Sequence, residues 1–226
     1  MAINTVRTID DRVRVRTVLA SVSDKSGLET LVPGLLASCP KLGILSTGGT
    51  YDAIRVLLDE RAAGCLRQVS DYTGQPEMQG GLVKTLDWRI YLGLLSETYN
   101  SSHRADMAKH GALDIDMVVV NLYPFQKTIA RPGATSEEAR GNIDIGGPCM
   151  VRAAAKNFHR VAVVTDPADY PRIVAELAAG GGALTLATRF ALAKKAFALT
   201  AGYDAAIAAY LAGLDAGAMA AAYEVR

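Results

Sequence analysis

Val18-Leu19-Ala20-Ser21-Val22-Ser23-Asp24-Lys25-Ser26-Gly27-Leu28 is the stretch that decides the fold. Its first five residues are an apolar run of strand length. Ser23 to Gly27 is a polar turn ending in glycine, and Leu28, Leu31, Leu35 and Leu36 then recur at helical spacing. The same order returns downstream. Residues 42–45 are apolar, Ser46-Thr47-Gly48-Gly49-Thr50 is a turn, and Ile54, Leu57 and Leu58 continue as a helix. Residues 66–69, 117–122 and 161–164 read as further strands, and Asp166-Pro167 opens a helix to about residue 177. The run 117–122 is apolar up to Asn121, as a strand covered on both faces should be. Strands alternating with helices predict an α/β fold: a mostly parallel sheet with helices on both faces.

Around this frame the pattern varies. Val13 and Val15 alternate with charged residues, as in a strand or an edge extension. Pro33 and Gly34 sit inside the first helical pattern and predict a kink or break there. Residues 72–116 begin without a clean period, and a long irregular stretch with apolar anchors points to function. After Gly180-Gly181-Gly182 the chain turns helical from about residue 185 to 210, with weak breaks to 223. Three parts are expected: an N-terminal extension (1–17), an α/β core (18–182) and a C-terminal helical segment packing on the core (183–226).

The totals exclude several classes. The 226 residues suffice for one large core or two small ones, and half of them are hydrophobic. A net charge of +1 leaves no basic excess for nucleic acid. No apolar stretch is long enough for a membrane span, and charges recur through the first sixteen residues, unlike a secretory signal. Cys39, Cys65 and Cys149 are scattered and odd in number, which fits a reducing cytoplasm better than a disulfide framework. His103, His110 and His159 are too scattered to propose a metal site.

Candidate chemistry gathers where strands meet helices. Ser23-Asp24-Lys25 and Thr47-Gly48-Gly49-Thr50 each follow a strand and open a helix, where ligands bind in open parallel sheets. Backbone N–H groups in short glycine turns can approach an anion, with Ser and Thr hydroxyls as further donors. Neither loop has the Walker or dinucleotide glycine spacing, so a phosphate monoester fits best. Asn121 and Tyr123 end the buried strand at the same edge, although a single tyrosine is more often a core ring with a satisfied hydroxyl. Lys84-Thr85 lies in the irregular stretch. In Asn142-Ile143-Asp144-Ile145-Gly146-Gly147-Pro148, proline fits a first helical turn, so Asp144 stands just ahead of a helix N-terminus. Arg152 and Lys156, four residues apart, share a face of that helix. The plainer alternative is a capped helix with solvated cations.

These motifs resemble a known family. Ser21-Val22-Ser23-Asp24-Lys25-Ser26-Gly27-Leu28, Ser46-Thr47-Gly48-Gly49-Thr50, Ser70-Asp71-Tyr72-Thr73-Gly74, Pro76-Glu77-Met78, Val83-Lys84-Thr85-Leu86, Asn121-Leu122-Tyr123-Pro124-Phe125, Ile143-Asp144-Ile145-Gly146-Gly147 and the run from Arg152 to Asn157 are similar to the IMP cyclohydrolase domain. That domain is the N-terminal half of a bifunctional purine-synthesis enzyme that also carries a transformylase. Tyr203-Asp204-Ala205-Ala206-Ile207 extends the match. The resemblance implies a methylglyoxal-synthase-like fold, a cytoplasmic homodimer, and closure of formamidoimidazole carboxamide ribotide (FAICAR) to IMP without metal or cofactor. A separate transformylase protein is a further partner it allows. By position, Ser23, Asp24, Lys25, Thr47, Gly48, Gly49, Thr50 and Thr85 would hold the ribose phosphate, and Asn121, Asp144 and Ile145 the base. Lys84, Tyr123, Asp144 and Lys156 would surround the reacting groups, with Asp144 near the amide N–H and Lys156 first among the candidates for proton transfer.

The chain departs from the family at two motifs: downstream it has Tyr91-Leu92-Gly93 where the family reads His-Ala/Gly-Gly, the helix prolines and extra N-terminal residues being lesser departures, and the first departure surrounds Lys84. Where the family reads Gly-Arg-Val-Lys-Thr-Leu-His-Pro, this chain has Gly81-Leu82-Val83-Lys84-Thr85-Leu86-Asp87-Trp88. Leu82 removes a cation from the expected phosphate site, and Asp87 would oppose an anion if it pointed inward. Two alternatives follow: a degenerate domain that binds a purine monophosphate without turnover, and methylglyoxal synthase on the same fold. The presence of Lys84, Tyr123, Asp144 and Lys156 together favours an enzyme, and the segments at 121–125 and 143–147 favour the cyclohydrolase.

Overall fold

Each short apolar run becomes a strand and is followed by helix. The computed structural model describes residues 5–75 and 84–224. In chain order it has β1 (Arg12–Arg14), β2 (Thr17–Val22), α1 (Leu28–Ser38), β3 (Gly43–Ser46), α2 (Gly48–Leu58), α3 (Ala62–Cys65), β4 (Leu66–Gln68), α4 (Val69–Thr73), α5 (Trp88–Leu95) and α6 (Ser101–His110). There follow β5 (Met117–Asn121), α7 (Phe125–Ile129), α8 (Ser136–Gly141), α9 (Gly146–Lys156), β6 (Ala162–Val164), α10 (Tyr170–Ala179), β7 (Ala183–Thr185), α11 (Leu186–Ala212) and α12 (Ala216–Ala220).

The main sheet is parallel throughout, in the order β4-β3-β2-β5-β6. Val118, Val119 and Val163 are wholly buried because helices cover both faces. On one side α1 packs with α2 and α10, and on the other α9 packs with α5 and α11. Parallel pairing brings the carboxyl ends of β2, β3 and β5 to one edge, where the candidate loops lie.

Two local expectations are corrected. Of the kink or break expected at Pro33, the break does not occur: α1 runs from Leu28 to Ser38 with Pro33 inside it. Pro33 faces solvent, while buried Leu31, Val32 and Leu35 hold the turn to the core against the lost hydrogen bond. Gly34 meets α10, where a Cβ would stand 2.4 Å from Val174 Cγ1. The second concerns residues 72–116. Beyond the turn at Thr85, this region folds as α5 and α6, capped by Asp87 and Asn100, whose side chains accept N–H bonds from Arg89 and His103. Residues 76–83, including Leu82, lie outside the described residues.

The N-terminal extension is stitched onto the core. β1 pairs antiparallel with β7. The buried Arg189 of α11 donates to the carbonyls of Asp10, Asp11, Phe158, His159 and Leu184 at 2.6–3.0 Å. Asp116 accepts N–H bonds from Arg16 (2.8 Å) and Thr17 (3.0 Å) and an ion pair from Arg160 (3.2 Å). The C-terminal segment packs through α11 against α9 and β6. No helix among the described residues is long and apolar enough to cross a membrane.

Candidate functional site

The carboxyl ends of β2, β3 and β5 open into a cavity of about 510 Å³. Its walls include Ser23, Lys25, Thr47, Gly48, Gly49, Thr50, Lys84, Thr85, Asn121, Tyr123, Asp144 and Ile145, so twelve of the fourteen candidate residues meet there. A wider surface cavity of about 970 Å³ beside α1 gathers none of them.

One wall is the start of α2. Thr47 is its extended N-cap residue, and no side chain caps the helix. The first N–H groups therefore keep their capacity for a ligand, with the positive end of the helix dipole behind them. Gly48 takes φ +43°, and a Cβ there would stand 3.4 Å from Lys84 Nζ. A Cβ on Gly49 would stand 3.8 Å from Lys25 Nζ. Two ammonium groups thus flank a bare Gly-Gly turn at a helix N-terminus, a suitable cradle for a phosphate.

Several neighbours are framework. Thr50 is buried, and its hydroxyl accepts from the Val22 N–H (3.0 Å) and donates to the Val22 carbonyl (3.0 Å). Thr47 Oγ1 lies 2.9 Å from Ser21 Oγ. Asn121 clasps the 23–27 loop: its Oδ1 accepts from the Asp24 N–H (2.8 Å) and its Nδ2 donates to the Asp24 carbonyl (2.7 Å). The Asp24 carboxylate turns away to accept from the Ser26 hydroxyl (2.6 Å) and N–H (2.9 Å), bonds that hold its pKa below the usual value. Asp24 is accordingly absent from the cavity wall.

The facing wall is the start of α9. A Cβ on Gly146 would stand 2.7 Å from Thr85 Oγ1, and one on Gly147 would stand 2.5 Å from Asp144 Oδ2. Both glycines are needed for this approach. Asp144 Oδ1 accepts the Gly147 N–H at 2.9 Å. Burial pushes the Asp144 pKa up, partly offset by backbone N–H bonds from Gly147 and Tyr123. Tyr123 and Ile145, at 50% and 59% exposure, present their side chains freely at the cavity.

Two family models match, the MGS-like domain over residues 36–149 and the AICARFT/IMPCHase bienzyme over residues 154–225. The chain belongs to the MGS-like domain family. Among curated relatives, the bifunctional purine biosynthesis protein PurH of Neisseria gonorrhoeae is 51% identical over 203 residues. That of Magnetococcus marinus is 48% identical over 202. Each alignment covers 89% of this chain but 37% of the relative, so the chain spans well under half of those proteins. The crystal structure of ForH matches with a TM-score of 0.72 at 35% identity, covering 86% of this chain and 97% of ForH.

Within this MGS-like framework Lys156 stands apart. It is exposed at the C-terminal end of α9, six residues beyond Met150 of the cavity wall, hence about 9 Å along the helix axis from it. The motif spacing that placed Arg152 and Lys156 on one face could not show that the face turns from the cavity. Arg152 instead lies over the Phe197 ring of α11. Asp87 does not oppose an anion: it is buried and accepts the Arg89 N–H at 2.8 Å as the cap of α5. Met150, Leu86 and Ile143 also line the cavity. Nothing in their apolar side chains distinguished them from core residues in the sequence.

Proposed function

We propose that this chain acts in purine biosynthesis as an IMP cyclohydrolase, closing FAICAR to IMP with loss of water. The observation that carries this is one cavity holding both an uncapped Gly48-Gly49 turn with two ammonium groups and a half-buried carboxylate of raised pKa, Asp144. PurH relatives and the bienzyme family match support the same direction.

The phosphate is assigned to the Gly48 and Gly49 N–H groups, Lys25 and Lys84. Lys84 thereby moves from the reacting groups to the anion, because its Nζ stands over Gly48. The carboxamide nitrogen then attacks the formyl carbon. As that C–N bond forms, Asp144 takes a proton from the nitrogen, and the formyl oxygen becomes a hydroxyl. The tetrahedral carbon next expels this oxygen as water while the formamido nitrogen gives up its proton and becomes C=N. Both protons lost from nitrogen leave on the water. Tyr123 is assigned to the formyl oxygen, stabilising its developing charge and assisting its departure. Holding amide and formyl in one geometry supplies much of the acceleration, since oriented intramolecular reactions reach effective molarities of about 10⁵–10⁸ M.

Lys156 has no role in this scheme within one protomer. In the homodimer that completes our reading, it would act only from a second copy. The exposed Phe190 and Phe197 of α11 offer a face for that contact, next to Arg152. The formyl substrate is assigned to a transformylase reaction, and the three free thiols suit the cytoplasm.

The test is turnover of synthetic FAICAR by the full chain, followed by ultraviolet absorbance, with Asp144→Asn alongside. Conversion that falls about 10²–10⁴-fold in the variant supports the enzyme. No conversion, with IMP still binding by calorimetry, would overturn it in favour of a nucleotide-binding domain without turnover.

A further inference from the structure

We infer that Tyr203, on α11, is a positioning residue for Asp144, so that the C-terminal helix completes the site without lining it. The inference rests on the cyclohydrolase reading above for its kinetic consequence, but its geometry stands separately.

The hydroxyl of Tyr203 makes two bonds. It accepts the Asp144 N–H at 2.8 Å and donates to the Asn142 carbonyl at 3.0 Å. It thus ties together the two ends of the turn that delivers Asp144 to the start of α9. Tyr203 is 8% exposed, so little water competes for either group. Its ring packs edge-on against Phe125, with centroids 6.2 Å apart, and Tyr210, two turns further along α11, meets the same ring at 5.8 Å. Phe125 follows Tyr123 by two residues, and the Phe125 N–H bonds to the Tyr123 carbonyl at 2.8 Å. One helix therefore holds both walls of the reacting region: the 142–144 turn through a hydroxyl, and the 123–125 segment through aromatic packing. Leu122, Ile143, Ala206 and Ile207 fill the space between, forming a small apolar cluster apart from the main core.

The division of labour is specific. The hydroxyl contacts no cavity and no carboxylate oxygen. It fixes the backbone from which the Asp144 side chain projects. Removing it leaves the ring in its apolar socket but frees the turn, so the carboxylate loses its aim while the phosphate cradle, more distant in the fold and built from other elements, keeps its own. Because a misplacement of about 1 Å can cost about 10²-fold in rate, loss of one tie should show in kcat.

Tyr203→Phe in the full chain is the test, with Phe125→Leu as a control that loosens the same cluster while keeping the hydroxyl. For Tyr203→Phe, kcat for FAICAR closure is expected to fall at least tenfold with KM changed less than threefold. Phe125→Leu should lower the thermal midpoint by as much or more with the smaller loss of kcat. An unchanged kcat in Tyr203→Phe overturns the inference, as does a loss that simply follows the thermal midpoint in both variants. If the wild-type chain shows no turnover, the cyclohydrolase reading fails but the tie remains testable. Hydrogen exchange at the Asp144 amide should then speed up at least tenfold in Tyr203→Phe and not in Phe125→Leu, and equal rates would overturn the tie itself.

Discussion

Gly147→Ala adds one methyl group at the start of α9 and should cut the proposed cyclohydrolase activity about 10²-fold without unfolding the chain. The new Cβ would lie 2.5 Å from Asp144 Oδ2 and 2.9 Å from Leu122 Cδ2. Ordinary van der Waals contact begins about 0.9 Å further out than the first of these. Leu122 is partly buried and backed by the apolar cluster, so the carboxylate gives way more easily. A shift of that size at the proton-accepting atom predicts a fall of about 10²-fold in kcat/KM, or ~2.7 kcal/mol. Stability should change far less. Alanine gains up to about 1 kcal/mol of helix propensity over glycine, set against about 1–3 kcal/mol of crowding. The assay is steady-state FAICAR closure beside a thermal melt. If kcat/KM stays within threefold while Asp144→Asn is inactive, carboxylate placement does not limit the rate and the reasoning is refuted.

The remaining predictions concern stability and the second copy. Asp144 has a raised folded-state pKa, so between the ordinary carboxylate value and the raised one the native state binds more protons than the unfolded chain, and stability falls as pH rises through that window. Asp144→Asn should therefore melt higher than wild type at neutral pH, with the advantage vanishing below about pH 4; an equal difference at all pH values would contradict the burial of this charge. Arg189→Met leaves five carbonyls without their donor, mostly where water can enter, and should cost about 3–5 kcal/mol in urea unfolding, or a thermal midpoint lower by about 6–20 °C. A loss under 1 kcal/mol would mean that the N-terminal strand is not held by this side chain. With the proposed homodimer, Lys156→Ala should lose activity only through the second copy, so an inactive Lys156→Ala mixed with an inactive Asp144→Asn should recover turnover; no recovery would remove Lys156 from the partner's site.

Much of the fold was legible because strand and helix periods are local. The run 117–122 contains no polar residue before Asn121, and its short, valine-rich make-up suits a doubly covered strand. The alternation of such runs with helical spacing implied the parallel sheet, and the sheet implied a ligand edge. Pro33 does not break α1, because the opposite face of the helix is fixed by contacts with α10 that no local pattern contains. Residues 88–110 were obscured by the irregular stretch before them, although Asp87 and Asn100 are ordinary capping residues.

The candidate site divides along the same line. Residue types and turn chemistry are properties of short segments, so the sequence alone determined that glycines, lysines and a carboxylate stand at strand and helix ends. Which of them face one another depends on helix rotation and on distant packing. Only the tertiary structure put Lys84 over Gly48, committed Asn121 and Thr50 to the backbone, and turned Asp24 toward Ser26. It also carried Lys156 one helix length away from Asp144 and brought Tyr203, 59 residues along the chain, to the Asp144 amide. Such contacts are set by the burial of α11 against α9 and the sheet, a free energy shared over many side chains and written in no single motif.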